Sequence, residues 1–121
     1  MGMDHEACLR AMYEAFNARD SDAVLGQMTA EVDWPNAWEG GRVRGHAAVR
    51  DYWTRQWAEI QATVVPVGFL ERADGSVAVD VEQVVRGLDG SVLGEGRVVH
   101  VYVFEGALIA RMDVEETAAG E

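Results

Sequence analysis

The stretch SVLGEGRVVHVYVFE, residues Ser91 to Glu105, decides how the rest of the chain is read. Val99, Val101 and Val103 fall on one parity, and Val98, Tyr102 and Phe104 on the other. Alternate residues of a strand leave opposite faces, so this strand expects apolar cover on both. Its surroundings have the same character. Thirteen of the 18 valines lie between Val64 and Val103, and β-branched residues suit a pleated surface. Turn signals at Ala73-Asp74-Gly75, Asp89-Gly90 and Glu105-Gly106 cut the region into four strands, Ala62–Arg72, Ser76–Gly87, Ser91–Glu105 and Ala107–Glu115. Links this short predict an antiparallel meander. Gly94-Glu95-Gly96 predicts a bulge that bends the long strand.

The N-terminal half reads as helix. Over Asp4–Ala18, Cys8, Met12 and Phe16 recur at helical spacing, with Leu9, Ala11 and Ala15 filling the stripe. Asp20-Ser21-Asp22 offers a cap for a short second helix whose inward side is Val24, Leu25 and Met28. Pro35, Gly40, Gly41 and Gly45 prevent a continuous helix over Glu31–Gly45, which reads as strand, loop and return strand. A third helix spans His46–Ile60, with Val49, Trp53, Trp57 and Ile60 on one side and Arg50, Asp51, Arg55 and Glu59 on the other. The expected class is α+β: three N-terminal helices packed on a curved, mostly antiparallel sheet. Residues 1–115 form one domain and 116–121 a tail.

Composition narrows the chemistry. The 121 residues carry ten Lys+Arg against 21 Asp+Glu, a formal net charge of −11. Such a charge repels phosphate backbones and anionic lipid, so neither nucleic acid nor a membrane is an expected partner. All ten basic residues are arginine, which excludes a Schiff-base lysine and a Walker phosphate loop. Cys8 is alone, so no intrachain disulfide forms, and with His5 it gives two ligands, too few for a metal site. No apolar run reaches about 18 residues, and acids stand near the N-terminus where a signal peptide carries bases. A cytoplasmic protein without cofactor is expected.

The element order resembles the nuclear transport factor 2-like fold. Local phrases agree: Phe16-Asn17-Ala18-Arg19-Asp20 closing the first helix, Gly41-Arg42-Val43-Arg44-Gly45-His46 leading into the third, and Ile109-Ala110-Arg111-Met112-Asp113-Val114 in the last strand. The chain resembles the SnoaL-like branch, which includes polyketide cyclases and ketosteroid isomerases. The resemblance implies a cone whose open end admits a small apolar ligand, and a homodimer joined through the sheet's outer face.

It also nominates residues. Tyr13 matches the position of the isomerases' oxyanion-hole tyrosine. Asn36 falls where those enzymes carry the carboxylate base, and Arg97 near their second acid, so steroid isomerisation is not expected. Cyclases of this branch rely on an aspartate in the last strand and a histidine in the strand before it, which points to Asp113 as base and His100 as its partner. Tyr13 and Asn36 would bind a carbonyl. Trp34, Trp38 and Trp53 would wall a planar ligand, and Arg111 shares a face with Asp113. The bland alternatives stand beside these: a core tyrosine, a sheet histidine, a solvated strand-end acid and core tryptophans. One bulge reverses the parity of every residue beyond it, so the face His100 occupies stays open.

The implied function is cofactor-independent acid–base chemistry of isomerase, cyclase or hydrolase type on an apolar, carbonyl-bearing ring compound. The alternative is a binding or dimerisation module with the same pocket.

Overall fold

A computed structural model describes residues 5–36 and 40–116. Helix α1 (His5–Asn17) buries Leu9, Met12 and Tyr13; of the rest of the expected stripe, Cys8, Ala15 and Phe16 are half-buried and Ala11 is exposed. The helix ends at Arg19, which takes the left-handed conformation at φ 62°. Asp20 then accepts the Ala23 N–H and starts α2 (Ser21–Leu25). Strands β1 (Met28–Pro35) and β2 (Arg42–Arg44) form a hairpin, and α3 (His46–Glu59) follows. The remainder is β3 (Ile60–Glu71), β4 (Val77–Gly87), β5 (Val92–Glu105) and β6 (Leu108–Glu116).

Only α1 and α2 precede the sheet; α3 is inserted between β2 and β3. Met28 opens β1 instead of lining α2, yet it is buried all the same. Glu116 continues β6, where a tail was expected to begin.

One six-stranded sheet runs in the order β2-β1-β6-β5-β4-β3. The β3–β6 part is the expected antiparallel meander, and β1 joins β6 in parallel. Two of its hairpins share one device. Asp74 and Asp89 each accept the N–H and hydroxyl of the serine two residues on, and Gly75 and Gly90 supply φ of 89° and 88°. Bulges interrupt β3 near Pro66, the β4–β5 pair beside Arg86, and the β5–β6 pair beside Phe104. Each adds twist and bends the strand, which curves the sheet.

The curved inner face meets the helices. Val77, Val79 and Val81 of β4, Tyr102 of β5 and Met112 of β6 pack there against Leu9, Met12, Val49 and Trp53. Strand β3 is an edge, and the closing phrase of α1 protects it. The Asn17 amide donates to the Val64 carbonyl at 2.7 Å and accepts the Val64 N–H at 3.0 Å; Arg19 donates to the Ala62 carbonyl at 2.9 Å. Pro66 has no N–H to leave exposed, so the edge is blunted over three alternate residues.

Candidate functional site

Alternation along β5 carries His100 and Tyr102 to the inner face, where both are buried. Tyr13 reaches them from α1. The Tyr102 hydroxyl donates to the Tyr13 oxygen at 2.7 Å, and Tyr13 lies 2.8 Å from His100 Nδ1. With Tyr13 in turn donating to His100 Nδ1, the neutral imidazole would carry its hydrogen on Nε2.

Burial enforces this state. Desolvation pushes the His100 pKa down to about 4 and raises both phenols above their ordinary value. All three groups are uncharged at neutral pH, and in that tautomer the imidazole keeps an N–H on its other nitrogen.

A 140 Å³ cavity opens beside His100. Phe16, Trp34, Trp53, Val64, Val98 and Met112 give it apolar walls, and Gln56 and Gln83 add neutral amides. A deeper 40 Å³ recess shares Phe16, Trp34, Val64 and His100 with it and reaches Tyr13 and Tyr102. The walls are mutually braced. Trp34 meets Trp53 edge-on at 5.5 Å, Phe16 meets Trp53 at 5.6 Å, and Trp53 stacks on Trp57 at 5.9 Å. Among the described residues no carboxylate or guanidinium lines the cavity or the recess.

The structure thus brings together Tyr13, His100, Trp34 and Trp53 of the nominated residues. Tyr102, Gln56, Gln83 and Phe16 join them without having been nominated. Tyr102 had a signal, because it lies two residues from His100 and so shares its face. Asn36 is buried at the end of β1, where its backbone closes the loop onto Gly40 and Gly41. Trp38 lies outside the described residues. His5 stacks on Phe104 and Cys8 Sγ donates to Gln27 Oε1. Among the described residues no group of three His, Cys, Asp or Glu is placed to hold a metal ion, and no helix is long and apolar enough to cross a membrane.

Asp113 and Arg111 stand elsewhere. Near the turn Phe104 pairs with Ile109, but Val103 pairs with Arg111, so Ala110 is an extra residue in β6. An unbroken register from the turn would set His100 opposite Asp113. The bulge instead sets His100 opposite Val114 and Asp113 opposite Val101, on the outer face.

There Asp113 joins a ring of two acids and two bases. Arg111 binds Asp113 at 2.8 Å and Asp33 at 2.9 Å, while Arg42 binds Asp33 at 2.5 Å and Asp113 at 3.1 Å. The hydrogen bond from Arg111, with both guanidinium charges behind it, holds the Asp113 carboxyl below its ordinary pKa. That is the opposite of what a proton-abstracting base at neutral pH needs. Arg97 is also on the outer face, paired with Glu82 at 2.7 Å.

The SnoaL-like domain profile matches residues 9–112. The chain belongs to the SnoaL-like family. Solved structures of the same fold include TerC co-crystallised with polyporic acid, at 22% identity and TM-score 0.80, covering 93% of this chain and 91% of that one. An NTF2-like protein from Burkholderia pseudomallei is 23% identical at TM-score 0.80, with 93% and 90% coverage. A Mycobacterium tuberculosis protein crystallised with estradiol-17β-hemisuccinate is 20% identical at TM-score 0.75, covering 89% of each chain. No curated protein matches the sequence.

Proposed function

We propose that this SnoaL-like domain binds a small, neutral, apolar ring compound and polarises its carbonyl group. One observation carries the reading: a buried Tyr102-to-Tyr13-to-His100 chain that turns the imidazole toward a mainly apolar cavity whose other described polar groups, on Tyr52, Gln56 and Gln83, are neutral. A neutral donor in a dry site suits an acceptor such as a ketone oxygen, which gains more there than in water. Charged ligands are disfavoured, because none of the described lining side chains carries a charge to offset theirs. The volume sets the scale, since a cavity of about 150 Å³ holds a benzene ring. Two fold relatives crystallised with small organic ligands support a small-molecule role.

Acetophenone tests the reading. Titrated against tryptophan fluorescence, it should bind wild type saturably, and His100→Phe should weaken it at least tenfold, the worth of one buried hydrogen bond to a good acceptor. Equal affinity in a folded His100→Phe protein would sink the idea. The enzymatic form of the reading takes solvent hydroxide as the base that removes the α-proton to form water, with the same imidazole donor stabilising the enolate oxygen that forms. It requires exchange of the ketone's α-protons in D₂O to be faster with wild type than with His100→Phe; an uncatalysed rate leaves binding alone.

A second copy on the outer sheet face belongs to the same proposal. Val65, Val67, Leu70 and Val103 are exposed there at 46%, 47%, 65% and 41%, between the rows of charged pairs. Sedimentation should give a dimer for wild type and a monomer for Leu70→Glu; a monomeric wild type removes this part.

A further inference from the structure

Alternate residues of a strand share a face, so the inner row of β4 reads Val77, Val79, Val81, Gln83 and Val85. One polar residue interrupts a row of valines. A pleated, half-buried position favours a β-branched side chain, so the strand itself does not call for an amide at 83. Val77, Val79 and Val81 are buried, whereas Gln83 is half-buried and lines the 140 Å³ cavity. Its neighbours across the sheet are Val64 on β3 and Gly96 on β5, and neither offers it a polar side chain. Among the described residues the Gln83 amide has no hydrogen-bond partner. The cavity's other amide is engaged, since the Gln56 N–H donates to the Tyr52 hydroxyl at 3.3 Å.

The register places Gln83 relative to His100. His100 lies opposite Val79 and Gly96 opposite Gln83, so the two polar residues stand four rows apart on one face. At roughly 3.3 Å per residue their backbones are about 13 Å apart along the strands. Midway between them Val81 pairs with Val98, an apolar floor. The cavity therefore carries a neutral polar group toward each end of that floor. Its 140 Å³ volume admits about one ring. A ring whose carbonyl meets His100 has its far edge toward Gln83. An amide both donates and accepts, which matches a group that does both, such as a hydroxyl. An ionised group at that edge would find no opposite charge.

We propose that Gln83 sets the ligand's specificity by hydrogen-bonding a neutral hydroxyl on the ring, at the edge away from the carbonyl. The inference rests on the cavity reading above and narrows the ligand to hydroxylated ring ketones.

The para-hydroxy and para-methyl derivatives of acetophenone, whose para groups are nearly equal in size, provide the test. Titrations are run at slightly acidic pH, where the phenol keeps its proton. Wild type should bind the hydroxyl compound about fivefold more tightly, the worth of one hydrogen bond between neutral groups. In Gln83→Met, which keeps the length and loses the amide, the preference should reverse. A hydroxyl without a partner is penalised there and a methyl is not. Gln83→Val, which completes the valine row, serves as the second variant should the first not fold. Two outcomes overturn the assignment: wild type that does not favour the hydroxyl, or a preference equally large in wild type and the folded variant. Either leaves the cavity standing so long as acetophenone binds wild type and His100→Phe weakens it. Failure of acetophenone itself to bind wild type overturns the cavity reading and the role of Gln83 with it.

Discussion

Strands β5 and β6 carry two sets of ionisable groups within a few residues of each other, and the two faces of the sheet treat them in opposite ways. On the inner face, His100 is 8% exposed and burial drives it to its neutral form. On the outer face, in the next row of the β5–β6 pair, Asp113 is held in its charged form by two guanidinium groups in contact with water. The chemistry of a residue here follows from parity more than from identity. Desolvation costs a charged group most where no partner is supplied, and among the described residues the inner face around His100 supplies phenols and amides. A site made this way offers hydrogen bonds without charge.

Acid should break the comparison at its inner member first. The folded-state pKa of His100 is about 4 against an ordinary 6.5, so the unfolded chain binds a proton between these values that the folded chain does not. Stability is therefore complete above about pH 6.5 and declines as pH falls toward 4, by about 3 kcal/mol in all. Urea melts across this window should show the slope in wild type and lose most of it in His100→Gln. The next effect is smaller. Tyr13→Phe leaves the Tyr102 hydroxyl and His100 Nδ1 without their shortest partner and should cost about 1–3 kcal/mol. Its sharper readout is the imidazole ¹⁵N spectrum, in which the Nε2–H tautomer loses its dominance; an unchanged tautomer would remove the relay.

The division into faces was only partly visible in the sequence. The parity of Val98, Tyr102 and Phe104 was legible, and so were the meander and the phrase around Asn17, because local spacing and turn residues encode them. The parallel pairing of β1 with β6 was not, because it joins segments about 80 residues apart and no local signal records it. The pairing of Asp113 with His100 failed for a narrower reason. Counting back from the Glu105-Gly106 turn places them together, and the single extra residue at Ala110 turns Asp113 outward. Nothing in Ile109-Ala110-Arg111 announces that bulge, since alanine and arginine fit either register. The tryptophans of β1 and α3 were readable as core or as pocket wall, and Trp34 and Trp53 serve as both.

The smallest predicted effect is the one that tests the division most directly. Asp113→Asn removes one charge from the outer ring, but Asp33 remains bound to both Arg42 and Arg111. Exposed ion pairs contribute little, so the expected loss is below about 1 kcal/mol at neutral pH. Because the Asp113 pKa is depressed, its contribution is present above the ordinary carboxylate range and disappears as pH falls through the folded value. That window lies below the one assigned to His100, so Asp113→Asn should flatten only the acid end of the curve. Affinity for acetophenone should not change. The route by which it could is specific. Met112 and Val114 flank Asp113 and line the cavity, and the Met112 carbonyl accepts a 2.6 Å hydrogen bond from Arg42. A tenfold loss of ketone affinity in Asp113→Asn would mean that the outer ring sets the position of β6 closely enough for the inner face to feel it. The two faces would then act as one site.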